Sequence, residues 1–195
     1  MADRSALVRC DDAGIAGAVA GRLTADGVRV TVVPGTASPD GAVAEAVGDS
    51  GVLDVLVCAV GQPDPAPFVG ADPARWYADV MAHLTPAFAL ARAAAPALRR
   101  SGAGRLVFLG SGWTAADRPC STAAAAVQGA LVALTKTLAR DLGPDAVTVN
   151  ELVADPASPP SPEVLAAAVS YLCSDPAGAV VGQLLTLGRG GPLRP

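Results

Sequence analysis

Six short β-branched runs, separated by alanine-rich stretches with helical spacing, constrain this chain more than any other feature. The runs lie at 5–9, 28–33, 53–60, 104–109, 146–153 and 183–187. Between them, Ile15, Val19 and Leu23 recur every four residues, as do Trp76, Val80, Leu84 and Phe88. Val127, Leu131, Leu134 and Leu138 follow i+4, i+3, i+4 spacing, which predicts a helix with that stripe against a sheet. Ser161-Pro162-Glu163 combines an N-cap, a first-turn proline and an acidic first turn, and predicts a helix running to about Cys173. Strands alternating with helices through short connections predict a doubly wound α/β architecture, a parallel sheet with helices on both faces. No repeat or linker interrupts the pattern, so one domain over 1–195 is expected.

Composition narrows the function classes. A chain of 195 residues that is 51% hydrophobic is long enough to bury roughly 70% of the surface its unfolded form exposes. The formal charge of −4 and a pI near 4.8 do not supply the clustered cations that nucleic acid or an anionic membrane requires, so neither partner is expected. Apolar stretches such as 86–98 are broken by Arg92 and Pro96, short of the ~20 residues that cross a bilayer. Asp3 and Arg4 lead directly into a strand, unlike a signal peptide. Cys10, Cys58, Cys120 and Cys173 have no CxxC spacing, so no metal site is expected, and reduced thiols in a cytoplasmic protein are.

Several segments carry a more specific pattern. GRLVFLGS at 104–111, LTKTLARDLGPDAVTVN at 134–150, SDPAGAVVGQLLTL at 174–187 and DVLVCAVG at 54–61 together resemble the short-chain dehydrogenase/reductase family, in the branch of bacterial β-ketoacyl reductases. The resemblance covers nearly the whole chain. It implies a Rossmann-like doubly wound fold, a nicotinamide cofactor at the C-terminal edge of the sheet, and hydride transfer.

Position by position, the sequence departs from what that resemblance implies. The family's TGxxxGxG loop aligns with Arg9-Cys10-Asp11-Asp12-Ala13-Gly14-Ile15-Ala16, which keeps only Gly14. Those glycines allow a tight turn and close approach of backbone amides to the pyrophosphate. Cys10 and Ala16 add side chains there, and Asp11 and Asp12 add carboxylates beside the phosphate position. Like charges at ~4 Å repel by roughly 4 kcal/mol at an effective dielectric of ~20; alternatively, one Asp simply caps the helix that follows. The second strand ends Val32-Val33-Pro34 without an acid for a ribose diol or an arginine for a 2′-phosphate. The family's NNAG is Cys58-Ala59-Val60-Gly61 here, and 34–51 is too short for the helix–strand–helix the family places there.

The catalytic set is similarly altered. Ser111 matches the family's serine, but the Tyr and Lys of YxxxK are Ala124 and Gln128, and the helical Asn is His83. In the family the Tyr protonates the carbonyl oxygen, while the Lys lowers its pKa and holds the cofactor ribose. His83 with Ser111 invites a proton-transfer pair, or His83 fills space left by the Asn. Cys10, Cys58 and Cys120 could form a thiol cluster or serve as small buried hydrophobes, and Trp113 could line a pocket or fill an emptied one. Only 154–160 connects the strand at 146–153 to the Ser161 helix, so the family's substrate lid is reduced, as is one strand.

Three functions remain open: a non-catalytic subunit that assembles with and stabilises an intact reductase, an enzyme reusing the fold for a non-redox step on a polyketide-like or acyl substrate, and an atypical NAD(P)-dependent reductase. The first two need no cofactor. For the first, Ala126, Ala130, Ala133 and Thr137 form a small-residue stripe on the second long helix. Members of that family commonly pair through two long helices, here about 73–99 and 122–142, so the resemblance implies a four-helix interface at this stripe, with an intact reductase-like subunit or with a second copy.

Overall fold

Four of the five helix starts carry a side-chain cap, and the central strands are runs too apolar to face water on either side. The computed structural model describes residues 4–111, 122–155 and 158–188, with Ser111 described by its backbone alone. Strands β1 (Ser5–Arg9), β2 (Arg29–Val33), β3 (Val55–Ala59), β4 (Arg105–Ser111), β5 (Thr148–Ala154) and β6 (Leu184–Leu187) form one sheet in the order β2-β1-β3-β4-β5-β6. All five pairings are parallel. Both faces of the central strands β1, β3, β4 and β5 are buried, as expected of a parallel sheet, while the edge strands β2 and β6 are partly exposed.

Helices α1 (Ala13–Ala25) and α5 (Pro162–Cys173) cover one face; α2 (Pro39–Val47), α3 (Pro73–Ser101) and α4 (Thr122–Leu142) cover the other. Leu7, Leu56, Cys58, Leu106, Phe108 and Val149 point toward the three-helix layer. Ala6, Val8, Val55, Val57, Val107 and Leu152 point the opposite way, the two-residue alternation of extended chain. Ser38 caps α2, Asp72 caps α3 and Ser161 caps α5, each followed by a proline at the first helical position. Between β2 and β3 stand only α2 and a short 3₁₀ turn (Gly48–Ser50), as the length of 34–51 predicted.

Two helical faces differ from the expectation. A strict four-residue repeat drifts by about 40° per step, so Trp76 and Phe88 end up about 120° apart. Val80 is buried and Leu84 half-buried, while Phe88 is 54% exposed; the sheet-facing line of α3 continues through Ala87, Ala91, Ala94 and Leu98 instead.

On α4 the buried residues are Ala123, Val127, Gln128, Leu131, Thr135, Ala139 and Leu142. Leu134 and Leu138 are only partly buried, at the margin of the core. The sheet-facing side is rotated toward two polar residues because β5 presents a polar partner there. Taken with the 3₁₀ turn after it, Thr122–Asp145 is long and apolar enough to cross a bilayer by length and composition, a candidate that the 86–98 stretch did not anticipate. It lies along the sheet, with Gln128 and Thr135 buried beneath it and most of its length unburied.

Candidate functional site

The chain order reverses at β1: β2 lies on one side of it and β3 on the other. The crevice above the C-terminal ends of β1 and β3 is where an open α/β sheet binds ligands. Arg9, Cys10, Asp11 and Asp12 meet Cys58, Val60 and Gly61 around this point.

Arg9, the last residue of β1, lies across the crevice rather than out into water. Its guanidinium donates to the Gly35 carbonyl at 3.1 and 3.4 Å, to the Ala59 carbonyl at 3.3 Å and to Cys58 Sγ at 3.7 Å. Asp11 reaches the same loop: its carboxylate accepts from the Gly35 amide at 2.6 Å. The fit is close enough that a Cβ at residue 35 would collide with that carboxylate. One cation and one anion from the β1–α1 connection therefore hold the carbonyl and the amide of a single glycine after β2. Beneath this contact, Arg9, Thr36, Ser38, Thr85 and Leu90 border a cavity of about 270 Å³.

The two aspartates have separate tasks. Asp12 is the N-cap of α1, its Oδ1 accepting from the Ile15 amide at 2.9 Å. Replacing a cap with alanine costs about 1 kcal/mol, so Asp12→Ala is expected to lower stability by that amount in a urea titration. Ala16 corrects the sequence expectation. Its methyl packs into the core between α1 and the sheet, as a residue serving close helix–strand contact would, and does not project toward the loop. Gly14 is exposed in the first turn.

Cys10 and Cys58 are both buried. Burial pushes both thiols up; the Asp12 and Asp11 charges add to this at Cys10, while Arg9 opposes it at both. Thiols held in the neutral form are poor nucleophiles, which favours the small-hydrophobe reading. Cys173, the last residue of α5, is pushed up to about 12 by burial. Cys120 and Trp113 lie outside the described residues. Among the described residues no three His, Cys, Asp or Glu side chains converge on a metal site.

His83 sits on α3 with its ring against Gly61, where an added Cβ would lie 3.2 Å from the ring. Its Nδ1 stands 2.9 Å from the Asp79 carbonyl, which can only accept, so Nδ1 carries the proton and a neutral ring leaves Nε2 as an acceptor. Ser111 closes β4 with its backbone in register with Ala154 of β5. Ala124 is half-buried in the first turn of α4. At the start of α3, Trp76 Nε1 donates to Thr122 Oγ1 at 3.1 Å, beside a second cavity of about 360 Å³ bounded by Asp64, Arg75, Asp79 and Ala123.

Gln128, one turn beyond Ala124, does not point into open space. It is buried, and its Nε2 donates to Glu151 Oε1 at 2.5 Å. Glu151, on β5, is fully buried. Nothing about a single acid within an apolar strand run had marked it, although an acid flanked by buried positions on both sides is itself a signal. Arg9 was missed as well, since a lone arginine ending a strand has no motif. On the outer side of α4, Ala126 packs partly against the core, Ala130 is half-buried, and Ala133 and Thr137 are exposed. The proposed stripe thus reduces to Ala130, Ala133 and Thr137.

Residues 33–161 match the family model described as enoyl-(acyl carrier protein) reductase. A short-chain dehydrogenase/reductase of Hericium erinaceus, eriH, is 27% identical over 88% of this chain and 80% of its own length. A Thermus thermophilus protein of known structure superposes with a TM-score of 0.83 at 29% identity, covering 95% of this chain and 97% of its own. A short-chain dehydrogenase/reductase of Serratia marcescens gives 0.79 at 27% identity, over 93% and 94%.

Proposed function

The chain belongs to the short-chain dehydrogenase/reductase family, and from that premise we propose that it is a non-catalytic member that assembles with, and stabilises, an intact reductase-like subunit. The observation that carries this reading is the Arg9–Gly35–Asp11 contact, which fills the crevice with the chain's own charges. The residues present do not fit a nicotinamide dinucleotide. The Cys10 side chain stands where a glycine would let backbone amides reach a pyrophosphate, a carboxylate occupies the loop above it, and no acid or free arginine follows β2 to hold a ribose.

Neither Ala124 nor Gln128 can donate a proton to a developing alkoxide, and the Gln128 amide is committed to Glu151. What the fold retains is its core and an unburied outer surface on α3 and α4. Phe88 and Tyr77 are exposed on α3, and Ala133 and Thr137 on α4, next to the half-buried Ala130, Leu134 and Leu138. Aromatic knobs on one helix and small residues on its neighbour suit helices packed across a symmetry or pseudo-symmetry axis. The natural setting we infer is the cytoplasm, where the buried thiols stay reduced.

Co-purification from the source cell under native conditions tests this reading. A reductase of the same family is expected in stoichiometric amount. Ala130→Glu or Ala133→Arg is expected to dissociate the assembly while the isolated chain stays folded, because a charge placed in a packed helix interface is buried without a partner. A stable monomer of the unmodified chain in light scattering would exclude the proposal.

A second reading has one observation behind it, the His83 ring seated against Gly61 with its Nδ1 held by the Asp79 carbonyl, so that Nε2 lies on the Gly61 side. A non-redox activity on an acyl substrate that disappears in His83→Ala would favour that reading over the first.

A further inference from the structure

Glu151 is a carboxyl group with no charged neighbour, sealed between α4 and the sheet. One oxygen accepts from Gln128 Nε2 at 2.5 Å. The other has no partner, and the Thr135 hydroxyl, also buried and on the same side of α4, lies near without completing a well-formed bond. The space exists because β4 carries Gly110 here. A Cβ at that position would lie 2.5 Å from Glu151 Oε1, 2.8 Å from Gln128 Oε1 and 3.2 Å from Leu131.

Among the described residues, the surrounding elements offer nothing to neutralise a charge. The groups of α4 nearest Glu151 are Gln128, Leu131 and Thr135; Lys136, Arg140 and Asp141 of the same helix are exposed. From β4 the group is Gly110, and β6 is Leu-Leu-Thr-Leu, without a titratable side chain. No charged side chain contributes a Coulombic effect at Glu151.

We propose that Glu151 is a proton-operated latch between α4 and the sheet: the neutral carboxyl holds the helix down, and the ionised one favours openings that let water reach it. The neutral acid satisfies the geometry. Its proton gives the unpartnered oxygen a donor beside the Thr135 hydroxyl, while the other oxygen keeps the Gln128 amide. The ionised form is an acceptor only, buried against two neutral groups, which is the costly arrangement. Burial accordingly pushes the group up to about 7, against the opposing pull of Gln128 and Thr135.

The sign follows from proton counting. With the closed-state value above the open-state one, the closed state binds the extra proton, and the latch is fully engaged at acid pH. It weakens as pH rises from the ordinary glutamate range to about 7 and changes no further above that. This inference does not depend on the proposed function.

Hydrogen–deuterium exchange of the full chain tests it, with rates corrected for intrinsic base catalysis. Protection of the α4 amides, relative to those of α1 and α5, is expected to fall about sixtyfold between pH 5 and 7.5 and then level off. In Glu151→Gln, which keeps size and hydrogen-bonding capacity, the relative protection should be flat over that range. A flat profile for the unmodified chain, or the same decline in Glu151→Gln, overturns the proposal. Should the variant fail to fold, the carboxyl carbon resonance of Glu151 in the unmodified chain decides: titration near neutrality supports the latch, and titration in the ordinary carboxylate range removes it.

Discussion

Calorimetry of the purified chain with NAD(H) or NADP(H) is expected to register no binding below about millimolar concentration. A pyrophosphate seated over α1 would meet the Asp11 carboxylate, and the Asp12 carboxylate already holds the Ile15 amide that an anion would otherwise take. Repulsion of roughly 4 kcal/mol from one such carboxylate corresponds to about a thousandfold in affinity.

The structure adds Arg9 as a second obstacle of a different kind. Its guanidinium ties the loop after β2 to the end of β3, so a ligand must break those contacts as well as displace Asp11. A graded rescue separates the two. Cys10→Gly, Asp11→Ala and Ala16→Gly combined should bind better than the parent through the first two changes, since Ala16 faces the core. Adding Arg9→Thr should produce a further gain. A low-micromolar dissociation constant for the parent chain would refute both the expectation and the crevice account behind it.

The second large effect is an expected absence of rescue. Ala124→Tyr combined with Gln128→Lys restores the residue types of YxxxK, and a positioned proton donor contributes about 10²–10⁴ in rate where the rest of a site is intact. Here a lysine at 128 would have its ammonium in the same buried position as the Gln128 amide, against Glu151. It would pair with that carboxyl and could not serve a tyrosine or a ribose. NADPH oxidation with a ketoacyl thioester is therefore expected to stay at background in the double variant. Turnover above background that is lost on Ser111→Ala, in either the parent or the double variant, would show that the site is less dismantled than its residues indicate.

The strands were legible in the sequence to within two residues at each end, because a two-sided parallel sheet leaves unbroken β-branched runs. The start of α5 was legible because a capping residue precedes a proline at Ser161-Pro162; the same signal at Ser38-Pro39 and Asp72-Pro73 went unread. The orientation of α4 was not. Apolar spacing alone placed Leu134 and Leu138 inward, whereas the helix turns Gln128 and Thr135 to the sheet to meet Glu151, and no local pattern predicts a polar partner 23 residues away. Asp12 as a cap could be anticipated from its position before a helix. Asp11 bonding the Gly35 amide, 24 residues along the chain, could not. That Ala124 and Gln128 stand where the family pattern has Tyr and Lys was plain in the sequence; the buried acid beside Gln128 and the arginine bracing the Gly35 loop required the fold.

Gly110 has a consequence for how substitutions at this point combine. A side chain at 110 would enter the space that Glu151 and Gln128 share, so neither polar group could remain where it is once the glycine is lost. Removing Glu151 first strands the Gln128 amide, and removing Gln128 first strands the acid. Apart from Glu151→Gln, which keeps a hydrogen-bonding group in place, single changes in the trio meet a clash or leave a buried group unsatisfied, at about 1–3 kcal/mol. Substitutions at 110, 128 and 151 are therefore expected to be strongly non-additive, each tolerated better in company than alone.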